Sequence, residues 1–141
     1  MEQFFKNSKI YLSGGGDENQ SFSLDKFFFS TMPENGCFLY LPTALRGHPL
    51  YLTAHAWMAS IVRLHKRKDV RFEILDDLSI CAIEHLKIFD GIYIGGGNTW
   101  NLIQEFKKTG FSNVLTQYLE TGKGVYGGSA GAIIMGKRIR H

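Results

Sequence analysis

Cysteine and proline are scarce: Cys37 and Cys81 are the only thiols, and Pro33, Pro42 and Pro49 the only prolines. Two cysteines without CxxC spacing exclude a disulfide scaffold and a cysteine-rich zinc site, which leads us to expect a reducing, cytoplasmic setting. No apolar run approaches the roughly 20 residues that cross a bilayer, so no membrane association is expected. The opening Met1 to Lys9 shows no apolar stretch behind a basic head, so no secretory leader is expected either. No segment rich in Pro, Gly or Ser divides the chain and no repeat is visible, so residues 1–141 are expected to be a single α/β domain. Net charge is only +3, and the cations gather at Arg63 to Lys68 and Lys137 to Arg140 without interleaved aromatics, which argues against nucleic acid. The histidines show neither HExxH nor a shared cluster with cysteine, so no metal and no cofactor are expected.

With 44% hydrophobic residues, the chain has enough apolar material for a core. Short apolar runs alternate with longer segments of helical period, the rhythm of a mainly parallel sheet covered by helices. The strands are predicted at Lys9 to Ser13, Cys37 to Leu41, Val70 to Leu75, Gly91 to Ile94 and Gly124 to Tyr126. Leu50, Ala54, Trp57, Met58, Ile61 and Val62 recur at helical spacing, and the cations from Arg63 to Lys68 suit that helix's negative end. Phe111, Val114, Leu115, Tyr118 and Leu119 form a second apolar stripe, with Gly122 as its stop. Phe22, Leu24, Phe27 and Phe28 suggest a further helix, and the run Phe27-Phe28-Phe29 is read as core. Asn98 is the expected cap of a helix carrying Trp100, Ile103 and Phe106.

Two glycine-rich turns carry the chemistry. Gly127-Gly128-Ser129-Ala130-Gly131 fits the GxSxG nucleophile elbow, preceded by a strand-like segment and followed by Ala132-Ile133-Ile134-Met135. A serine on a sharp strand-to-helix turn needs small neighbours two residues away on either side. The turn aims Ser129 at a helix N-terminus, where the backbone N–H of Ala130 suits a developing oxyanion. The second donor is expected from Gly95-Gly96-Gly97-Asn98-Thr99 at the same carboxyl edge of the sheet, with the Gly97 N–H as the choice.

Gly14-Gly15-Gly16-Asp17-Glu18-Asn19 also follows a strand. Asn19 stands where a dinucleotide fingerprint needs its third glycine, and two acids lie where pyrophosphate would bind. Gly122-Lys123-Gly124 lacks the ending of a phosphate loop.

Ile94-Gly95-Gly96-Gly97-Asn98-Thr99, followed by Tyr126-Gly127-Gly128-Ser129-Ala130-Gly131-Ala132, resembles the peptidase E and cyanophycinase-like family of serine peptidases. The opening Tyr11-Leu12-Ser13-Gly14-Gly15-Gly16 is similar to that family's first strand and loop. The resemblance implies a class I glutamine amidotransferase-like, flavodoxin-like fold: three α/β/α layers around a mainly parallel sheet, with the C-terminal part of the family's domain missing. It also implies that Ser129 stands where relatives of that fold carry cysteine, and that the substrate is a small peptide, as in dipeptidase E-like enzymes.

A serine needs a base, and enzymes of this type order the triad as serine, acid, histidine. The chain stops twelve residues after Ser129, and the family's acid and histidine lie downstream of that point. His141 would sit roughly 18 Å along a helix from Ser129, out of reach. His55, His65 and His85 read as structural or solvated residues. His48, in the loop after the second strand, is a conceivable surrogate base, and Arg46 beside it is either a contact for a substrate carboxylate or an ordinary solvated cation. Exposed Ile133, Ile134 and Ile139 would invite association between copies. Two readings stay open: a serine peptidase acting through an acyl-enzyme on Ser129, and an inactive remnant keeping the same edge as a small-molecule or partner-binding surface.

Overall fold

The computed structural model describes residues 9–13 and 22–128. Five strands, β1 (Lys9–Ser13), β2 (Cys37–Leu41), β3 (Arg71–Ile74), β4 (Gly91–Ile94) and β5 (Gly124–Gly128), form one sheet in the order β1-β5-β4-β2-β3. Every pairing is parallel. The helices are α1 (Phe22–Ser30), α2 (Ala54–Leu64), α3 (Ile83–Leu86), α4 (Thr99–Thr109) and α5 (Phe111–Glu120). None of them is long and apolar enough to cross a membrane.

Alternation along the strands creates the two faces. Phe38, Tyr40, Tyr93 and Tyr126 meet α1 and α2, whereas Leu39, Leu41, Ile92, Ile94 and Val125 meet α3, α4 and α5. Because both faces are covered, β2 and β4 read as unbroken apolar runs, which is why they could be placed from the sequence. The three-layer α/β/α architecture is the expected one.

The α1 layer is aromatic. Phe28 is fully buried and meets Tyr11, Phe29, Phe38, Tyr93 and Tyr126 edge-on, with ring centroids 5.5–6.3 Å apart. Phe27, on the opposite side of the helix, is 64% exposed, so the Phe27-Phe28-Phe29 run is core at two positions and surface at one. Gly91 lets α1 approach: a Cβ there would come within 2.4 Å of the Met32 methyl group.

Two expected stripes shift register. Pro49 heads a 3₁₀ turn, Pro49–Thr53, so α2 begins only at Ala54 and Leu50 projects into solvent. In α4 the buried residues are Leu102 and Phe106, while Trp100 is 66% exposed. Gly110, in the left-handed region at φ +71°, closes α4 and turns the chain into α5, and Gly122 at φ +82° follows the end of α5.

The end of α2 uses its cations differently from expectation. Lys66 N–H donates to the Arg63 carbonyl and Arg67 N–H to the Val62 carbonyl, the paired bonds of a Schellman closure. That closure puts Lys66 at φ +57°, where glycine is the usual occupant. The Arg67 guanidinium caps α1 and the turn after it, donating to the carbonyls of Phe29 (2.5 Å), Met32 (3.1 Å) and Pro33 (2.9 Å). It also forms a two-pronged pair with the Asp69 carboxylate at 3.1 Å for each contact. These bonds, followed by the Asn35 N–H, hold the Asp69 carboxyl down at about 2.

Relieving the left-handed lysine is expected to stabilise the fold: Lys66→Gly should add about 1 kcal/mol and raise Tm by a few degrees in thermal denaturation. Arg67→Ala should return the Asp69 carboxyl toward its ordinary value, read from its carboxyl resonance in an NMR titration. Because the native value is depressed, the stabilisation linked to Asp69 is complete above the ordinary carboxylate value and disappears as pH falls toward about 2.

Candidate active site

β5 lies between β1 and β4, with Gly127 paired to Leu12 and Ile94, and Gly128 to Ser13. The chain therefore leaves β5 at the carboxyl edge beside the turn that leaves β4. Ser129 and Ala130 lie outside the described residues. Gly97 lies within them, in the turn one strand away.

That turn is fixed from the neighbouring loop. Gly95 N–H continues the ladder to the Leu41 carbonyl at 3.0 Å, and Asn98 N–H donates to the Ala44 carbonyl at 2.7 Å. The Asn98 side-chain oxygen accepts from the amides of Trp100 (2.9 Å) and Asn101 (3.2 Å), the cap foreseen from the sequence. Asn101 Nδ2 donates to the Arg46 carbonyl at 3.1 Å, a second tie between the same two loops. Gly97 sits at φ +141°, and a Cβ there would stand 2.6 Å from the Ala44 carbonyl oxygen. Only glycine allows the turn to lie this close to the β2 loop. Among the described residues, neither Gly96 N–H nor Gly97 N–H has an acceptor.

Beneath this edge, Tyr93 and Tyr126 stack at 4.2 Å, and the Tyr93 hydroxyl donates to Asp25 at 3.4 Å. Burial, reinforced by the Asp25 carboxylate, holds Tyr93 well above the ordinary phenol range, so it stays protonated. His65 Nε2 stands 3.9 Å from Asp25, and both side chains are almost wholly enclosed. The His65 ring stacks on Phe22 at 4.6 Å. Burial lowers the His65 pKa, against the opposing pull of Asp25. As pH falls through the ordinary histidine range, the unfolded chain therefore takes the proton first, and the folded state loses stability.

The described histidines are structural. His48, exposed in the loop after β2, accepts the Leu50 N–H on Nδ1 at 3.0 Å and so caps the Pro49–Thr53 turn. His85 Nδ1 accepts the Ala82 N–H at 3.0 Å, and His55 lies against Phe72 at 4.7 Å. Arg46, its side chain 39% exposed, pairs with Glu105 at 3.2 Å and donates to the Asp76 carbonyl. Among the described residues, no three His, Cys, Asp or Glu side chains group in a way that could hold a metal ion.

Gly97→Ala must distort the turn or push the β2 loop away, and is expected to cost about 1–3 kcal/mol in urea denaturation. Asn98→Ala should cost about 1 kcal/mol through loss of the cap alone.

Comparison with known proteins agrees with this architecture. Uncharacterized peptidase YgaJ of Bacillus subtilis strain 168 is 30% identical over 141 residues, covering 88% of this chain and 54% of that protein. Uncharacterized peptidase Lin0382 of Listeria innocua is 38% identical over 73 residues, 52% of this chain and 33% of that protein. Peptidase E of Shewanella amazonensis is 43% identical over 51 residues, 36% of this chain and 22% of that protein. A crystal structure of a peptidase E candidate from Listeria monocytogenes EGD-e superposes with a TM-score of 0.71 at 26% identity, covering 91% of this chain and 61% of that one. The structure of a peptidase from an acI-B1 Actinobacterium shares the fold, with a TM-score of 0.61 at 18% identity. The chain spans 54% or less of the length of these curated relatives. The model of peptidase family S51 matches residues 10–141, and the chain belongs to that family.

Proposed function

We propose that this chain carries the nucleophile of a serine peptidase acting on small peptides, as dipeptidase E-like enzymes do. The observation that carries the reading is that β4 and β5 pair as neighbours, so the turn holding Gly97, whose amide has no acceptor among the described residues, starts beside the end of the strand that precedes Ser129 in the chain. Ser129 Oγ attacks the peptide carbonyl carbon, and the N–H groups of Ala130 and Gly97 receive the oxyanion. The C–N bond then breaks, the amine leaves with a proton from the general acid, and water hydrolyses the ester on Ser129. The base and the acid come from outside the described residues, and no cofactor is required. The two free thiols, Cys37 and Cys81, suit a reducing cytoplasm.

The engagement of His48, His55, His65 and His85 in local structure favours a second reading, in which the edge binds a small molecule or partner and Ser129 is never activated. A fluorophosphonate probe separates the two. Stoichiometric labelling of Ser129, abolished by Ser129→Ala, is the result expected for the peptidase; no labelling between about pH 6 and pH 9 leaves the binding module.

A further inference from the structure

Among the described residues β3 ends the sheet, with β2 as its sole neighbour. The Arg71 N–H donates to the Gly36 carbonyl at 2.9 Å and the Leu75 N–H to the Tyr40 carbonyl at 3.3 Å. Hydrogen-bonding direction alternates along a strand, so Phe72 and Ile74 turn their N–H and C=O groups outward, away from β2. Such a row is a template for a further strand.

The side chains of this edge are sorted by face. Arg71 and Glu73 are exposed on one side of the sheet. Phe72 and Ile74 are half-buried on the other, where the Phe72 ring lies 5.6 Å from Phe38 and 4.7 Å from His55. Among the described residues neither Arg71 nor Glu73 has an ion-pair partner. An edge that needed only protection from pairing would carry charges of one sign, usually lysines, which repel a copy. Here the two signs stand side by side on one face, two residues apart.

That interval selects a partner. When β3 meets a second copy of itself antiparallel, about a two-fold axis through Phe72, position 71 falls opposite position 73 and position 73 opposite 71. Each Arg71 then faces a Glu73, at a non-hydrogen-bonded site where side chains approach most closely. Phe72 exchanges both main-chain bonds with Phe72 of the second copy, and Ile74 lies opposite Val70 on the apolar face. Moving the axis to position 71 or 73 sets like charges against each other. We propose that β3 is a self-association edge, through which two copies of this chain join their sheets into one continuous sheet in the register set by Arg71 and Glu73. The occupant is a second copy because the strand complements itself when reversed. The proposal does not rest on the peptidase reading, since β3 is separated from β5 by β2 and β4.

Sedimentation velocity of the whole chain tests it. A short edge belongs with small, transient interfaces, so a monomer–dimer equilibrium with Kd of about 10–100 μM is expected. Arg71→Glu and Glu73→Arg each place like charges opposite one another and should weaken the dimer about tenfold or more. An equimolar mixture of the two variants should regain the parent's affinity, because the acidic edge of one meets the basic edge of the other. The double variant, Arg71→Glu with Glu73→Arg, should regain it alone, and neither recovery is open to a misfolded chain. A parent that stays monomeric up to about 500 μM overturns the proposal. So does a dimer indifferent to both single substitutions, which would use another surface, or a mixture of the two variants that stays monomeric.

Discussion

One hydrogen bond, from the Asn98 amide to the Ala44 carbonyl, governs the carboxyl edge of the sheet. It draws the turn after β4 against the loop after β2 so closely that no side chain fits at Gly97. With the backbone of Asn98 held there, its side chain is in place to start α4, and α4 in turn presents Asn101 and Gln104 along the outer side of the same loop. Backbone amide and helix start are thus set by a single close approach. Under the proposed function, a loop held this firmly would offer its amide without reorganising, as preorganised sites do.

The layer below is rigid for a different reason. Aromatic rings from α1, β2, β4 and β5 meet around the fully buried Phe28, and close-packed interiors of this kind yield little to a change of even one methylene. Arg67 closes the rim of that layer by joining the end of α1 to the segment that enters β3, using a charged fork where neutral caps are usual. The carboxyl edge of the sheet rests on this layer, while Leu50 and Leu52 of the Pro49–Thr53 turn and Trp100 of the first turn of α4 are exposed.

Much of this was legible in the sequence, and the pattern of success has a cause. Central parallel strands are apolar on both faces, so Cys37–Leu41 and Gly91–Ile94 announce themselves as runs, and Asn98 before Thr99 marks a helix start by its own chemistry. Leu50 and Trp100 misled because an exposed apolar residue at helical spacing carries the same letter as a buried one. Arg67 hid because its acceptors, Phe29, Met32 and Pro33, lie more than thirty residues away in sequence, and no local pattern encodes a contact of that range. The engagement of His48 and Arg46 was invisible for the related reason that it depends on which lone pair or guanidinium edge a neighbour has already claimed. Ser129 and Ala130 were chosen from the elbow pattern and lie outside the described residues; what the structure adds is where the strand before them ends.

The sheet order has a consequence for biosynthesis. Among the described residues β1 pairs only with β5, which is made more than a hundred residues later, and β5 in turn supplies the link between β1 and β4. A chain emerging from the ribosome can assemble β2, β3 and β4 with their helices early, but its first strand must wait, unpaired, until Gly124–Gly128 has left the exit tunnel. Such distant closure is slow and leaves an apolar edge uncovered in the interval. Nascent chains of this protein are thus most exposed to chaperones and proteases just before the segment leading into Ser129 is made.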